Sequence, residues 1–263
     1  MKSGTPFRLG TTSFIYPDSW LANVERLAGR VHDVEILFFD LDNPDTWPCP
    51  TEQSALAEWK SRAQLTYTLH TPLKVSLASE DERRRRESVA TVCRAIELAA
   101  PFEPDAYVVH VCLGEREHDP FPADLAAWRR RAVRSLEEIL ARGVAPGDLC
   151  VESLDYDFAY IEPVISDLGL SAAIDIGHLR RDGRSEGELL RRNLHRVRLI
   201  HWHGVDPSGR DHRSLAHYPR EHARRLLDML LEESYRGVLT LEVFGESDFE
   251  ESLAIVGSLL EGR

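Results

Sequence analysis

The sequence predicts an α/β protein, a (β/α)8 barrel that residues 1–263 form as a single domain. Eight segments of strand length alternate with eight segments of helical spacing. Such alternation is typical of a parallel sheet. The length of 263 residues matches this barrel, which usually takes roughly 250 residues. No low-complexity linker divides the sequence, so we expect one domain.

The predicted strands are short runs of apolar residues or apolar residues alternating with polar ones: residues 7–12, 33–39, 64–69, 106–112, 148–153, 171–176, 197–203 and 238–243. The predicted helices are residues 18–29, 52–62, 81–100, 123–142, 157–168, 185–195, 219–234 and 247–261. In residues 81–100, Asp81 and Glu82 suit the positive end of a helix, and apolar residues form one stripe. The arginines Arg83 to Arg86 are predicted to form a solvated face, and ligand binding is the less favoured alternative.

Glycines support this order of elements. Gly29, Gly143, Gly169 and Gly237 fall at or just beyond the ends of four predicted helices, where a residue that tolerates positive φ can end the helix. The chief alternative is an open doubly wound sheet, which would normally carry a glycine-rich phosphate loop. Neither GxGxxG nor GxxxxGK[ST] occurs in the sequence.

Composition favours a small-molecule substrate. The chain is 43% hydrophobic, enough for a substantial core, and its net charge of −12 opposes attraction to a nucleic acid. Its four cysteines form no CxxC pair, and no apolar leader or long apolar span is visible. We therefore expect a cytoplasmic protein without a membrane partner, and the oligomeric state stays open.

Six successive predicted strands end in an imidazole or a carboxylate. These residues are His70, His110, Glu152, Asp175 followed by His178, the pair His201 and His203, and Glu242. In a barrel, the C-terminal ends of the strands meet at one mouth. Each residue alone has a structural explanation, as a hydrogen-bonded histidine or a helix cap. Their recurrence at equivalent positions predicts a metal site.

Charge strengthens this prediction. Glu152, Asp175 and Glu242 would repel one another in a shared cavity and lose solvation. No arginine or lysine stands at a neighbouring strand end. One to three divalent cations would supply the positive charge, and histidine with carboxylate suits manganese, zinc and iron alike.

Glu35 lies inside the apolar strand Asp-Val-Glu-Ile-Leu. It is a candidate for binding the substrate or a metal-bound water, and a structural hydrogen bond is the alternative. Cys112 is interpreted as a small apolar filler. No Gly-x-Ser-x-Gly elbow occurs, so nothing indicates a serine nucleophile.

These motifs resemble the xylose isomerase-like barrels, which include sugar isomerases, epimerases and the endonuclease IV group. The resemblance is carried by Val34-Glu-Ile, Glu152, Asp175-Ile-Gly-His178, His203-Gly-Val-Asp206 and Leu241-Glu242. It implies that Glu152, Asp175, His203 and Glu242 hold a metal ion, with the carboxylates as catalytic residues. His203 is favoured over His201 because Asp206 follows it at the family's spacing, and Asp206 is a candidate substrate-binding residue.

His70 and His110 are similar to the two histidines with which endonuclease IV enzymes hold a second metal, with Glu152 as the bridge. His178, Asp211 and His212 resemble the ligands of a third metal. In the endonuclease pattern the aspartate and histidine stand two apart, whereas Asp211 and His212 are adjacent. Asp206 could substitute, or the third ion could be absent. A cluster of this kind implies phosphodiester hydrolysis.

The opening Leu9-Gly-Thr-Thr-Ser-Phe-Ile-Tyr-Pro-Asp18, with Val34-Glu-Ile-Leu-Phe-Phe and His201-Trp-His-Gly, resembles the cobamide-remodelling phosphodiesterases of this superfamily. The resemblance implies hydrolysis of the nucleotide-loop phosphodiester of vitamin B12-like corrinoids, and thus a phosphorylated corrinoid as substrate. The alternatives are a metal-dependent sugar (phosphate) isomerase or epimerase, and a metabolite-binding barrel with a degraded metal site.

Overall fold

The computed structural model describes residues 5–38, 41, 47–114 and 122–261. Its strands are β1 (Arg8–Thr12), β2 (Asp33–Leu37), β3 (Thr66–His70), β4 (Ala106–Val109), β5 (Leu149–Glu152), β6 (Ser171–Asp175), β7 (Val197–Trp202) and β8 (Val238–Leu241). All pairings are parallel, and β1 pairs with both β2 and β8, which closes the barrel. The predicted (β/α)8 barrel is therefore confirmed, and the open sheet is excluded. Phe39, the last residue of the predicted second strand, lies outside the described residues.

The helices are α1 (Trp20–Leu27), α2 (Pro50–Ala63), α3 (Glu82–Ala99), α4 (Leu125–Leu140), α5 (Glu162–Leu168), α6 (Ile176–Arg181), α7 (Glu186–Asn193), α8 (Arg220–Glu232) and α9 (Glu246–Glu261). Each predicted helix has a counterpart, and α6 is additional. Within the described residues, no helix is long and apolar enough to cross a membrane.

Alternation along the strands separates two apolar regions. One set of residues packs between the barrel and its helices and includes Val34, Ile36 and Leu239. A second, smaller cluster comprises Ala106, Val108, Cys150, Ala173, Leu199 and Val238. Because side chains two apart on a strand share a face, the second cluster lies on the inward face with the polar residues further along each strand. It forms an apolar floor beneath them.

Two local predictions are wrong. Gly237 lacks a positive φ, unlike Gly29, Gly143 and Gly169. A side chain there would collide with the hydroxyl of Tyr235 and the carbonyl of Arg198, so close packing requires this glycine.

The arginine run is not one solvated face. Arg85 is fully buried between α3 and α4, where its guanidinium donates to Ser135 and Glu138 at 2.9 and 2.8 Å. These hydrogen bonds supply the partners that a buried charge needs. Arg83 and Arg86 do face solvent, with side chains 82% and 65% exposed.

Candidate metal centre

The inward periodicity of the strands brings the predicted histidines and carboxylates to one end of the barrel. On β3, Thr66, Thr68 and His70 share a face, and on β8 the positions 238 and 240 lead to Glu242. His70 and Glu152 are the last residues of their strands, and His110 and His203 follow within one residue. The cluster therefore lies at the C-terminal mouth, where the functional residues of such barrels stand.

His70, His110 and Glu152 form the first group of potential ligands. The Nε2 atoms of His70 and His110 lie 3.2 and 2.9 Å from the same oxygen, Oε2 of Glu152. Nδ1 of His70 donates to the carbonyl of Thr71 at 2.9 Å, which directs Nε2 towards Glu152. Ligand atoms around a tetrahedral ion at 2.0–2.1 Å lie roughly 3.3 Å apart, so this spacing suits a metal site.

The other oxygen of Glu152 faces a different histidine. Oε1 lies 3.1 Å from Nδ1 of His201, while Nε2 of His201 lies 3.1 Å from Oε1 of Glu35. His201 is fully buried and its ring stacks on that of His70 at a centroid distance of 5.9 Å. His201 thus connects Glu35 with Glu152, and Glu152 faces two histidine groups at once.

Asp175, His203 and Glu242 form the central group. Nε2 of His203 lies 3.2 Å from Oδ1 of Asp175, and Nδ1 of His201 lies 3.4 Å from Oε2 of Glu242. Nδ1 of His201 is also 4.0 Å from Oδ2 of Asp175. Both strand-7 histidines therefore reach this group, as their spacing of two residues predicts.

A third group forms around His178. Its Nδ1 lies 2.8 Å from Oδ2 of Asp175, and its Nε2 lies 3.4 Å from Oδ2 of Asp211. The ring of His212 is 5.1 Å from that of His178. Asp211 and His212 both approach His178 although they are adjacent in sequence, because they lie in a bend where His212 takes a φ of 52°. Arg181 also holds Asp211, at 2.6 Å.

Asp206 lies apart from the three groups. Its Oδ1 accepts from the backbone of Ser208 and Arg210 at 2.8 and 3.1 Å, and its Oδ2 accepts from the Arg210 side chain at 2.8 Å. These bonds close the turn after β7. Within the described structure Asp206 therefore has a turn-forming position, and its predicted roles in binding the substrate or a third metal stay predictions.

The pKa values of the buried carboxylates depend on burial and on the charges of their neighbours. Burial raises the pKa of Glu242 to about 8, and the carboxylates of Asp175 and Glu152 add to this effect while His201 opposes it. Burial alone would also raise the pKa of Glu152 and Asp175. Nearby histidines outweigh it and hold both pKa values well below the ordinary range.

The histidines respond in the opposite direction. Burial lowers the pKa of His70, but the hydrogen bond and charge of Glu152 raise it to about 9. Burial also lowers the pKa of His178, but the charge and hydrogen bond of Asp175 raise it to about 11. His212 differs, since burial and the charge of His203 lower its pKa to about 4. Without a cation, protonated imidazoles therefore offset the charges of Glu152 and Asp175, while the raised pKa of Glu242 favours its protonated form.

The donor atoms fit divalent cations. Four buried atoms of the cluster make no hydrogen bond of regular geometry among the described residues, although Asp175 and His203 have imidazole or carboxylate neighbours within ion-pair distance: Oε2 of Glu35, Oδ2 of Asp175, Nε2 of His203 and Oε2 of Glu242. The partners within ion-pair distance of these carboxylates, again among the described residues, are histidines. Unpartnered buried polar atoms are costly, and carboxylates with imidazoles are the ligands that manganese, zinc and iron accept.

The cluster opens into a cavity of about 630 Å³. The sequence predicts the histidines and carboxylates at its base. It does not predict the cationic residues Lys74 and Arg181 in the wall, and it gives ligand binding by the run that contains Arg84 only as an alternative. Those three belong to loops and helix ends, where periodicity carries no signal. Cys112 also lines the cavity, where the sequence predicts a filler.

Comparison with known proteins agrees with this architecture. A family model described as a xylose isomerase-like TIM barrel matches residues 31–259. Comparison with curated protein sequences finds no match.

Solved structures of similar fold cover almost the whole chain. A D-tagatose 3-epimerase-like protein superposes with a TM-score of 0.74 at 19% identity, covering 97% of both chains. Endonuclease IV from Thermus thermophilus superposes with a TM-score of 0.69 at 20% identity, and the match covers 97% of this chain and 100% of the endonuclease chain. The IOLI protein with a bound zinc atom superposes with a TM-score of 0.74 at 13% identity, and the match covers 97% of this chain and 99% of the IOLI chain. At these identities the likeness is one of fold.

Proposed function

The chain belongs to the xylose isomerase-like TIM barrel family, and from this premise we propose that it is a divalent-metal-dependent phosphodiesterase. Its substrate would be a small phosphodiester, in particular the nucleotide-loop phosphodiester of a cobamide. Endonuclease IV, a similar solved structure, is named as an endonuclease, so phosphodiester chemistry is compatible with this fold. The acidic chain, with a net charge of −12, suits a metabolite better than a nucleic acid.

One observation carries the proposal: the two oxygens of Glu152 face different histidine groups. Oε2 lies within 3.2 Å of both His70 and His110, whereas Oε1 lies 3.1 Å from His201 beside the central group. A carboxylate in this position supports bridging of two cations. Two adjacent cations suit phosphodiester hydrolysis, because both the attacking and the leaving oxygen need stabilisation.

The residues divide into two sets of ligands. His70 and His110 would hold one ion with Glu152. Asp175, His203 and Glu242 would supply the remaining ligands of the central ion. Bound divalent ions lower the pKa of water and neutralise phosphoryl oxygens. His201, between Glu35 and Glu152, would orient the bridging carboxylate. His178, Asp211 and His212 are the candidates for a third ion, and His178 and His212 lie with His203 in one group of potential ligands.

An assay with purified protein tests this proposal. The protein is stripped with a chelator, reloaded with manganese, zinc or iron, and offered a cobamide, bis(4-nitrophenyl) phosphate and a ketose. We expect metal-dependent release of a phosphomonoester. Ketose epimerisation without any diester hydrolysis would overturn the proposal.

A sugar isomerase or epimerase is the second candidate. The central group, Asp175, His203 and Glu242, together with Glu152 could hold one ion without His70 and His110. The D-tagatose 3-epimerase-like protein shares the fold. In this reaction Glu152 and Glu242 would move the proton, and His70 and His110 would contact sugar hydroxyls. The same assay separates the candidates, since only this one predicts conversion of the ketose.

A further inference from the structure

Exposed hydrophobic side chains are concentrated at the mouth of the barrel. Among the described residues, the large hydrophobic side chains that remain exposed are Phe14, Leu73 and Phe244, at 44%, 43% and 40%. They follow β1, β3 and β8, so all three stand in loops on the C-terminal face. Scattered exposed hydrophobics need no explanation, but a group on the functional face indicates binding. We call this group the apolar ledge.

The apolar ledge is continuous with the metal centre. Leu73 and Phe244 line the same cavity as His70, Glu152 and Glu242. The ring of Phe244 lies 4.8 Å from that of His212, at an angle of 45°. Phe14 does not line this cavity; it stands in the loop after β1, the strand that pairs with β8. A ligand in this cavity can therefore contact both Leu73 and Phe244.

Cationic side chains line the cavity beside the ledge. Lys74 adjoins Leu73 in the loop after β3, Arg84 comes from the first turn of α3, and Arg181 ends α6. Arg181 is held by Asp211 and Asp182 at 2.6 and 2.9 Å. Because Asp155 and Asp211 also line this cavity and Arg181 is already paired, the attraction for an anion would come from Lys74 and Arg84 together with the cations that the cluster would hold.

We infer that the substrate is an amphiphilic phosphodiester, in which the phosphate carries a large apolar group that lies on the apolar ledge. The inference rests on the proposed phosphodiesterase function and narrows its substrate class. Lys74 and Arg84 attract the anionic part, and the metal centre receives the phosphate. A free sugar would gain less from the ledge than such a diester, because it has less apolar surface to bury against Phe244 and Leu73.

The test uses three diesters with the same leaving group: methyl, phenyl and 1-naphthyl 4-nitrophenyl phosphate. In the wild-type protein kcat/KM should rise from methyl to naphthyl. Phe244→Ala and Leu73→Ala should each reduce the naphthyl-to-methyl ratio of kcat/KM, by roughly 10-fold for a lost contact of this size. The reduction in kcat/KM for the naphthyl diester should come mainly from a higher KM. Both side chains are exposed, so their truncation leaves the core intact.

A binding measurement separates this inference from the proposed function. Fluorescence titration with 1-naphthyl phosphate should give a Kd roughly 10-fold weaker in Phe244→Ala than in wild type. If no diester is hydrolysed but the Kd values of wild type and Phe244→Ala still differ, the proposed function is wrong, whereas binding of an apolar group at the ledge is supported. If wild type and Phe244→Ala have equal Kd values and equal naphthyl-to-methyl ratios of kcat/KM, the ledge does not bind the apolar group and the inference is overturned.

Charge and self-association are tested separately. Lys74→Gln should raise KM for all three diesters by roughly the same factor of 3 to 10, since one charge at a screened surface is removed. Arg225→Gln, on α8 and 61% exposed, is the charge-matched control and should change nothing. A wild-type dimer that dissociates in Phe244→Ala would identify a second copy as the occupant and overturn the inference.

Discussion

Oε2 of Glu152 lies 2.9 Å from Nε2 of His110, with neither side chain exposed to bulk solvent to any large extent. The second oxygen of the same carboxylate faces His201. One buried carboxylate therefore joins the strand-4 histidine to the centre of the barrel. This connection is the observation on which the proposal of more than one ion rests.

Replacing Glu152 should affect both ions. Glu152→Gln keeps the shape but removes the charge that two cations would share, so we expect metal content to fall by at least one ion per chain. Diester hydrolysis should fall by roughly 100-fold or more. Elemental analysis and initial rates measure these effects. Glu232→Gln, on the exposed side of α8, is the matched control. Unchanged metal content in Glu152→Gln would refute the bridging role.

Removing either histidine of the first group should remove one ion. His70→Ala and His110→Ala each delete a ligand from a group whose potential ligand atoms lie within 4.8 Å of one another. We expect metal content to decrease by one ion and hydrolysis to fall by roughly 100-fold. His222→Ala, at a partly exposed surface pair with Glu186, serves as control. Rates within a few fold of wild type would contradict a two-ion mechanism.

The position of His203 depends on a glycine. A Cβ atom at Gly177 would lie inside van der Waals distance of three atoms of the His203 ring. Gly177→Ala should therefore displace the ring and weaken metal binding by roughly 10- to 100-fold, with a cost of about 1–3 kcal/mol in stability. Calorimetric metal titration measures the affinity.

Gly187→Ala provides the matched control, because its Cβ would meet only Arg191 at 3.8 Å, an ordinary contact. Gly187 lies in α7, where alanine is the better helix former. The metal affinity of the Gly187→Ala variant should equal that of wild type. Equal affinities in both alanine variants would show that the His203 ring does not bind the ion.

Asp33 should make stability depend on pH. Burial raises its pKa to about 7, a hydrogen bond from Thr66 opposes the rise, Glu35 adds to it, and Arg8 opposes it. Between its ordinary pKa of 3.8 and about 7, the folded state keeps a proton that the unfolded state releases. Asp33 therefore destabilises the fold increasingly as pH rises through this window, by at most on the order of 4 kcal/mol.

Asp33→Asn removes this penalty. The stability difference between the variant and wild type, from urea denaturation, should be small at pH 4 and should grow in favour of the variant up to pH 8. Effects of the metal centre act on both proteins and cancel in the difference. A difference that does not change with pH would contradict the raised pKa.

The barrel and the base of its site follow from local periodicity. Strand residues two apart share a face, so the order Thr66, Thr68, His70 on β3 already points His70 to the interior. The same rule predicts that His201 and His203 face one cavity. These features depend on neighbours in sequence, which is why they can be predicted without coordinates.

Other features depend on the path of loops. Lys74, Arg84 and Arg181 converge on the cavity from three separate segments, and nothing in their spacing indicates this. The helix α6 has six residues, too few for an apolar period. Its signal is the cap: Asp175 accepts a hydrogen bond from the backbone of His178 at 2.7 Å, three positions on. For Asp175 the helix cap, given above as the alternative to a metal ligand, is therefore present as well.

The most direct test is a titration of metal back into stripped protein, with diester hydrolysis and the number of bound ions measured in the same samples. We expect no hydrolysis by the stripped protein, and activity that appears as the second ion binds to each chain. Full hydrolysis by protein without metal, or maximal activity with a single bound ion, would contradict the account.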